Sequence, residues 1–447
     1  MGMGRTGRTA LRGLAAVAAL CAVAALPGAV AAGPDEPPGY RTAPDAEPVR
    51  GATSGAEAPE LAPGIYTDRI GPGEERLYAV ELDAASTAYL SAMAAPGPGT
   101  AVAVRGDGLA LRLTTAEGKE CDTARVTFAG NGTAYPIGDH TTRRTGGRVD
   151  ARCRKAGRYL FSVGRVGGEA GGEWPVEIRH MSEPGLTGAA PQPPAGDAGG
   201  TEPPEPSAPP GGEVRQADGG SGPNDAAAIR TGAWRDRLRP GETRFYRVPL
   251  EWGQRLSAAA ELPAARGTYA FVPGALGLQL YNPARGSVVG GNFKPYDGGL
   301  TTASLGTPPV DYGNRYGTGA DEASVPGWYY LELTLHRDLE RFFPDGADVT
   351  LRVNVEGEAA EGPEYDGDLR AAGFGTAEDG QAPLGRGRPE QGRPAADARR
   401  DGHMLILAWA GIGTGSALLL GLGLWTAVAR RGGTGTTGGG RHAAPSR

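Results

Sequence analysis

The sequence predicts an all-β protein built from two tandem β-sandwich domains, followed by one C-terminal transmembrane helix. Three observations predict it. Two stretches match each other at a constant offset of 168 positions, the mark of a tandem duplication. Each copy alternates apolar and polar residues with the period of two that a half-buried strand requires, and no sustained helical period interrupts it. Near the end, Leu405 to Val428 form 24 residues without a charge, long enough to span a bilayer with some tilt.

Taken in order, the chain opens with Arg5, Arg8 and Arg12, an apolar run from Leu14 to Leu26, and the small-residue triplet Ala29-Val30-Ala31. A charged start, a short apolar centre and an A-x-A end describe a secretory signal peptide cleaved near Ala31 or Ala32. No paired arginine precedes the apolar centre, so twin-arginine export is not indicated. Leu20 before Cys21 is too large for a lipoprotein signal. Cleavage leaves Cys121 and Cys153, two cysteines outside the cell, and an oxidising compartment with an even count predicts a disulfide between them.

The repeat is carried by residues 66–82, YTDRIGPGEERLYAVEL, and 234–250, WRDRLRPGETRFYRVPL. Asp68 falls on Asp236, Glu74 on Glu242, Arg76 on Arg244 and Tyr78 on Tyr246. YLSAMA (89–94) then answers RLSAAA (255–260), and AGRYLFSV (156–163) answers PGWYYLEL (326–333). Within each copy, residues such as Tyr246, Val248 and Leu250 alternate with Arg247 and Pro249. A preceding Pro-Gly sets the turn, proline fixing one dihedral and glycine accepting a positive φ. Several short strands joined by Gly/Pro turns in some 130 residues describe a β-sandwich.

A Gly-rich turn, then PGE-x-R-x-Y-x-V-x-L, a strand of small residues and G-x-Y-x-L-x-V resembles the bacterial pre-peptidase C-terminal domain family over 60–180 and 230–356. The resemblance implies a jelly-roll-like sandwich, and a non-catalytic module appended to secreted proteins. The arrangement also looks similar to the membrane-proximal part of secreted von Willebrand A-type proteins of high-GC bacteria. The D-x-S-x-S metal site of that domain has no counterpart in this sequence.

Glycine (76) and proline (38) make up about a quarter of the chain, concentrated between and after the two copies. Such segments cannot bury a core and read as linkers. Trp409 and Trp425 lie near the ends of the apolar run and Arg430 and Arg431 follow it, which places the short tail in the cytoplasm. The expected organisation is a signal peptide (1–32), a disordered stretch (33–57), sandwich 1 (58–181), a Pro/Gly-rich linker (182–225), sandwich 2 (226–356), a disordered stalk (357–402), a transmembrane helix (404–428) and a cytoplasmic tail (429–447). Only Lys119, Lys155 and Lys294 are lysine among 45 basic residues, a high-GC bacterial coding bias, and the net charge of −6 argues against nucleic acid.

Catalytic chemistry finds little to stand on. His140, His180, His336, His403 and His442 show no metal-ligand spacing and read as surface or loop residues; no G-x-S-x-G elbow occurs. Gly411-Ile412-Gly413-Thr414-Gly415 lies inside the apolar run, with no preceding strand, and is no phosphate loop. Acidic loop residues such as Asp297, Asp321 and Glu322 read as solvated charge rather than a calcium site. No cofactor or metal is expected. Trp234, Trp252, Trp328 and Tyr330 are the aromatic candidates for a ligand or partner face; Trp328 and Tyr330 share the strand face opposite Tyr329 and Leu331. Asp68 and Asp236 are expected to brace turns.

The expectation is a non-catalytic, single-pass surface protein of a bacterial envelope. Its ectodomain engages a surface or membrane protein partner, or alternatively a wall or extracellular polysaccharide.

Overall fold

The computed structural model describes residues 39–376, apart from 98–99, 104–105, 130–131, 147–148, 168–170, 192–211, 266–269 and 318. The expected signal peptide (1–32), transmembrane helix (404–428) and tail (429–447) lie outside the described residues. Among the described residues no helix is long and apolar enough to cross a membrane.

The described chain is all-β apart from three short 3-10 helices. The first copy contains β1 (Glu47–Pro48), β2 (Gly64–Ile70), β3 (Glu75–Leu82), β4 (Thr87–Ala94), β5 (Gly108–Thr115), β6 (Glu120–Thr127), β7 (Ile137–Arg143), β8 (Gly157–Val166) and β9 (Trp174–Glu183). They make two sheets, ordered β1-β2-β9-β4-β7 and β3-β8-β5-β6. The second copy contains β10 (Val214–Gln216), β11 (Ala227–Ala228), β12 (Gly232–Leu238), β13 (Thr243–Leu250), β14 (Arg255–Leu262), β15 (Val272–Tyr281), β16 (Ser287–Tyr296), β17 (Thr301–Gly306), β18 (Gly327–Leu335) and β19 (Ala347–Glu356). Its sheets run β10-β12-β19-β14-β17 and β11-β13-β18-β15-β16, the same order with the short β11 added at one edge.

Inside sandwich 1, Leu90, Ala92 and Ile178 from one sheet meet Leu111, Phe161 and Val163 from the other. Sandwich 2 repeats this with Leu256, Leu351 and Val353 against Leu278, Leu331 and Leu333. Each large apolar side chain so buried contributes about 1.5–3 kcal/mol. Pro249 lacks a ladder donor, and β13 is bordered on that side only by the two-residue β11 opposite Tyr246 and Arg247, so the proline falls at an edge as its chemistry requires.

Residues 39–57 and 212–225 were expected to be disordered or linker, and the structure corrects this. In each copy the chain before the first long strand forms a strap across the sandwich. Glu47 pairs with Tyr66 and Arg215 with Trp234, an offset of 168 in both partners. Farther along, Ala52 bridges Leu77 and Gly220 bridges Phe245. A buried carboxylate ties each strap down. Asp68 Oδ2 accepts from the Gly51 N–H and the Tyr78 hydroxyl, both at 2.8 Å. Asp236 Oδ2 accepts from the Gly219 N–H and the Tyr246 hydroxyl, both at 2.7 Å. A Cβ at Gly51 or Gly219 would stand 2.7 or 2.8 Å from the tyrosine ring beneath, so only glycine lets the backbone cross there. Composition misread these segments because hydrogen bonds to the sandwich, rather than their own apolar residues, hold them.

The start of the expected stalk is likewise packed. Ala360 donates to the Trp252 carbonyl at 2.8 Å, Tyr365 bridges Leu186, and Phe374 is buried against Tyr89.

The two sandwiches, expected to hang on flexible linkers, dock face to face. The outer face of the β1-β2-β9-β4-β7 sheet meets the outer face of the β11-β13-β18-β15-β16 sheet. All eight residues of β4 are therefore buried, on both faces. Met93 packs with Phe245, Tyr281 and Tyr330, and Tyr89 and Met181 pack with Ala284, Val325 and Phe374.

Tyr246→Phe removes one of the two bonds on Asp236 Oδ2 and is expected to cost about 1–3 kcal/mol in urea unfolding. Arg237→Ala, at an exposed ion pair with Asp348, stays within about 0.5 kcal/mol.

Candidate functional site

The docking seam is rich in charge. Glu183 at the end of β9 is 1 % exposed. Arg315, from the 3-10 helix Tyr312–Tyr316, reaches it with two N–H groups at 3.2 and 3.0 Å. The hydroxyls of Tyr89 and Tyr365 each donate to it at 2.8 Å. At the other end of the seam, Glu177 accepts from Asn224 Nδ2 at 2.8 Å, the Ala43 N–H at 2.9 Å and the Tyr40 hydroxyl at 3.2 Å.

Beside the seam lies a polar cleft of about 290 Å³. It opens where the edge strands of sandwich 1, β6 and β7, part from each other. Residues 121–124 form one wall and Asp139, His140, Thr142 and Arg143 the other; Arg144, Val149 and Cys153 complete the lining, with Ser287, Asp321 and Glu322 from sandwich 2. The Cys121–Cys153 disulfide, expected from the sequence, is present and joins two of these walls. Asp122 Oδ2 accepts from the Thr142 N–H at 2.6 Å, and Asp139 Oδ1 accepts from the Ser287 N–H at 3.1 Å. Arg144 pairs with Asp321 at 3.2 Å.

His140, expected at the surface or in a loop, is instead buried at this junction. It stacks on Tyr89 with ring centroids 5.6 Å apart, and its Nε2 lies 3.2 Å from Glu322 Oε2. Burial holds the imidazole below its ordinary range. Burial, reinforced by the Asp321 charge, pushes the Glu322 carboxyl up to about 8. Asp139 is pushed up to about 6 by burial, which the neighbouring His140 opposes. Glu322, expected as solvated loop charge, thus belongs to the junction. Sequence spacing had no means to find this cluster: His140 and Glu322 lie in different copies. Among the described residues no group of three or more His, Cys, Asp or Glu side chains is placed to hold a metal ion.

The four aromatic candidates do not form one surface. Trp234 and Trp252 are each 9 % exposed and belong to the core of sandwich 2. Trp234 Nε1 donates to the Arg230 carbonyl at 2.8 Å. Tyr330 is 6 % exposed, covered by sandwich 1, with the Arg285 guanidinium 3.7 Å above its ring. Trp328 is half-buried under Arg247, at 4.6 Å.

No protein-family model matches the chain, and no curated protein matches it. Among solved structures it is similar to the tandem CBM22 domain of Paenibacillus barcinonensis Xyn10C, at 11 % identity, covering 66 % of this chain and 92 % of that one, with a TM-score of 0.18. The tandem CBM51 modules of a Streptococcus pneumoniae family 98 glycoside hydrolase align at 7 % identity, covering 65 % of this chain and 83 % of that one, with a TM-score of 0.18. The ANXUR2 extracellular domain of Arabidopsis thaliana aligns at 9 % identity, covering 71 % and 91 %, with a TM-score of 0.16.

Arg315→Met strands the buried Glu183 charge and is expected to lower stability by about 3–5 kcal/mol, read by calorimetry. A second expectation concerns pH. Glu332, on the docking face of β18, is pushed up to about 8, chiefly by burial. The folded chain keeps a proton there that the unfolded chain releases near the ordinary value of 4.5. Stability from this group is whole below about pH 4.5 and is lost as pH rises to about 8. Glu332→Gln cannot ionise, so urea titrations should show it gaining on the native sequence across that window; a constant difference at every pH contradicts the assignment.

Proposed function

We propose that this chain is a non-catalytic, membrane-anchored binding or scaffold protein of a bacterial envelope, which engages a surface protein with its fused pair of sandwiches. The observation that carries this reading is a pair of large apolar side chains left in water at one end of sandwich 2. Phe271 is 64 % exposed and Leu300 is 68 % exposed. Register puts both at the same end: Val272 pairs with Tyr296 before the turn, and Thr301 pairs with Leu262 after it. The Ala265 N–H donates to the Gly298 carbonyl at 3.0 Å and ties the two loops together. Large apolar side chains exposed together at one end of a domain can anchor a protein interface. The signal peptide and apolar C-terminal run of the sequence support display outside the cell, and the pre-peptidase resemblance supports a module without turnover. The carbohydrate alternative rested on an aromatic platform, and burial of Trp234, Trp252 and Tyr330 removes that platform from solvent.

Cross-linking of the tagged full-length protein in intact cells, followed by mass spectrometry, is expected to recover a stoichiometric protein joined near residues 263–271 and 297–300. The double variant Phe271→Asp, Leu300→Asp should reduce that capture at least about tenfold with an unchanged melting temperature. Recovery of wall glycan alone, or capture unaffected by the double variant, overturns the reading.

A further inference from the structure

The junction cleft is built from both copies and is separate from the apolar tips at Phe271 and Leu300. We infer that it is a second binding site, for a saccharide without acidic groups. Its volume of about 290 Å³ stands at the lower end of small-ligand sites, roughly 300–1,000 Å³. Its wall is almost wholly polar. Among the described residues only Ala124 and Val149 present aliphatic side chains there, and no Phe, Tyr or Trp ring lines it.

Two buried side chains of that wall, Arg143 and His140, carry polar atoms without a partner. Arg143 is 1 % exposed; its Nη2 donates to the Asp83 carbonyl, while Nε and Nη1 have no hydrogen-bond partner. Its guanidinium lies 5.8 Å from the Tyr159 ring centroid rather than against a carboxylate. His140 Nδ1 is likewise buried without a hydrogen-bond partner. Each buried polar atom left so costs about 1–3 kcal/mol. The same wall carries the carboxyl groups of Asp122, Asp139, Asp321 and Glu322 against the two guanidinium groups of Arg143 and Arg144. With Glu322 protonated, Asp122, Asp139 and Asp321 still outnumber the two guanidinium groups at neutral pH, which disfavours an anionic ligand. A hydroxyl group accepts from an N–H and donates to a carboxylate at once, so a polyol is the chemistry that meets both kinds of wall group together. With no Phe, Tyr or Trp ring to stack on, such a ligand is held by hydrogen bonds. The site is complete only when the sandwiches are docked, because Ser287, Asp321 and Glu322 come from the second copy. The Cys121–Cys153 bridge fixes the wall that Val149 and Cys153 provide.

The test is saturation-transfer NMR and calorimetric titration of the full-length protein with the methyl glycosides of glucose, galactose, mannose and N-acetylglucosamine, with glucuronate as the acidic control. At least one neutral glycoside should bind. Asp122→Asn should weaken it about tenfold or more, the loss of a charge-assisted hydrogen bond. Thr123→Arg, at an exposed position on the rim, should abolish it by filling the cleft, with melting unchanged. Capture of a protein partner through Phe271 and Leu300 should survive Thr123→Arg, so failure of one site is distinguishable from failure of the other. The inference is overturned if none of the four glycosides binds, if binding is equal in Thr123→Arg, or if glucuronate binds more tightly than the neutral sugars.

Discussion

Glu183 accepts four hydrogen bonds, two from Arg315 and one each from Tyr89 and Tyr365. Those donors come from sandwich 1, from a loop of sandwich 2 and from the segment that follows it. A carboxylate this deeply buried is tolerated only while all of them are in place, since an uncompensated charge there costs several kcal/mol. The relative position of the sandwiches, the path of residues 357–376 and the shape of the cleft beside Arg144 all follow from this one group being satisfied. Arg144 itself donates to the Arg315 carbonyl at 3.0 Å, which links the cleft wall to the same node.

Duplication gave two copies of one sandwich, and docking required them to diverge on opposite faces. Tyr89 and Met93 of the first copy enter the seam, whereas Arg255 and Ala259 stand at the matching places in the second. There Arg255 pairs with Glu356 at 2.6 Å on a solvent-facing sheet. On the other sheet the pattern reverses. Trp328, Tyr330 and Glu332 of the second copy form the seam, and the first copy has Arg158, Leu160 and Ser162. That sheet of the first copy stays in water, its Arg112 reaching Glu75 at 3.7 Å and Glu120 at 3.4 Å. The contact is thus heterologous: unlike faces of like domains meet. Such a seam leaves each copy one polar outer face and concentrates ionisable residues where dielectric screening is weakest, which is why Glu322 and Glu332 are both pushed up to about 8.

The braces that hold the straps show the opposite behaviour and do not diverge. Asp68 with Tyr78 and Asp236 with Tyr246 keep the same contacts at nearly the same lengths. Glu74 and Glu242 each accept from the backbone of the adjacent turn at 2.8 Å and pair with the following arginine. These residues face inward or hold a turn within one copy, so each copy needs them regardless of its neighbour.

Local chemistry was therefore legible from residues alone. Period-two runs such as Tyr246-Val248-Leu250 specify strands because successive side chains point to opposite sides. The offset of 168 specifies two like sandwiches, and the pair Cys121 and Cys153 specifies a bridge. The repeated Asp, Glu, Arg and Tyr mark internal braces, since they act within one copy. What tertiary structure decided was the fate of every outward-facing residue. Nothing in WYYLEL states whether Trp328 and Tyr330 meet water or another sheet, because a strand face is covered or bare according to what docks on it. His140 and Glu322 have no shared motif, and Arg143 looks like any surface arginine until β6, β7 and the second sandwich close around it. Burial is a property of the assembled surface rather than of the residue, so the cleft and the seam came into view only with the fold.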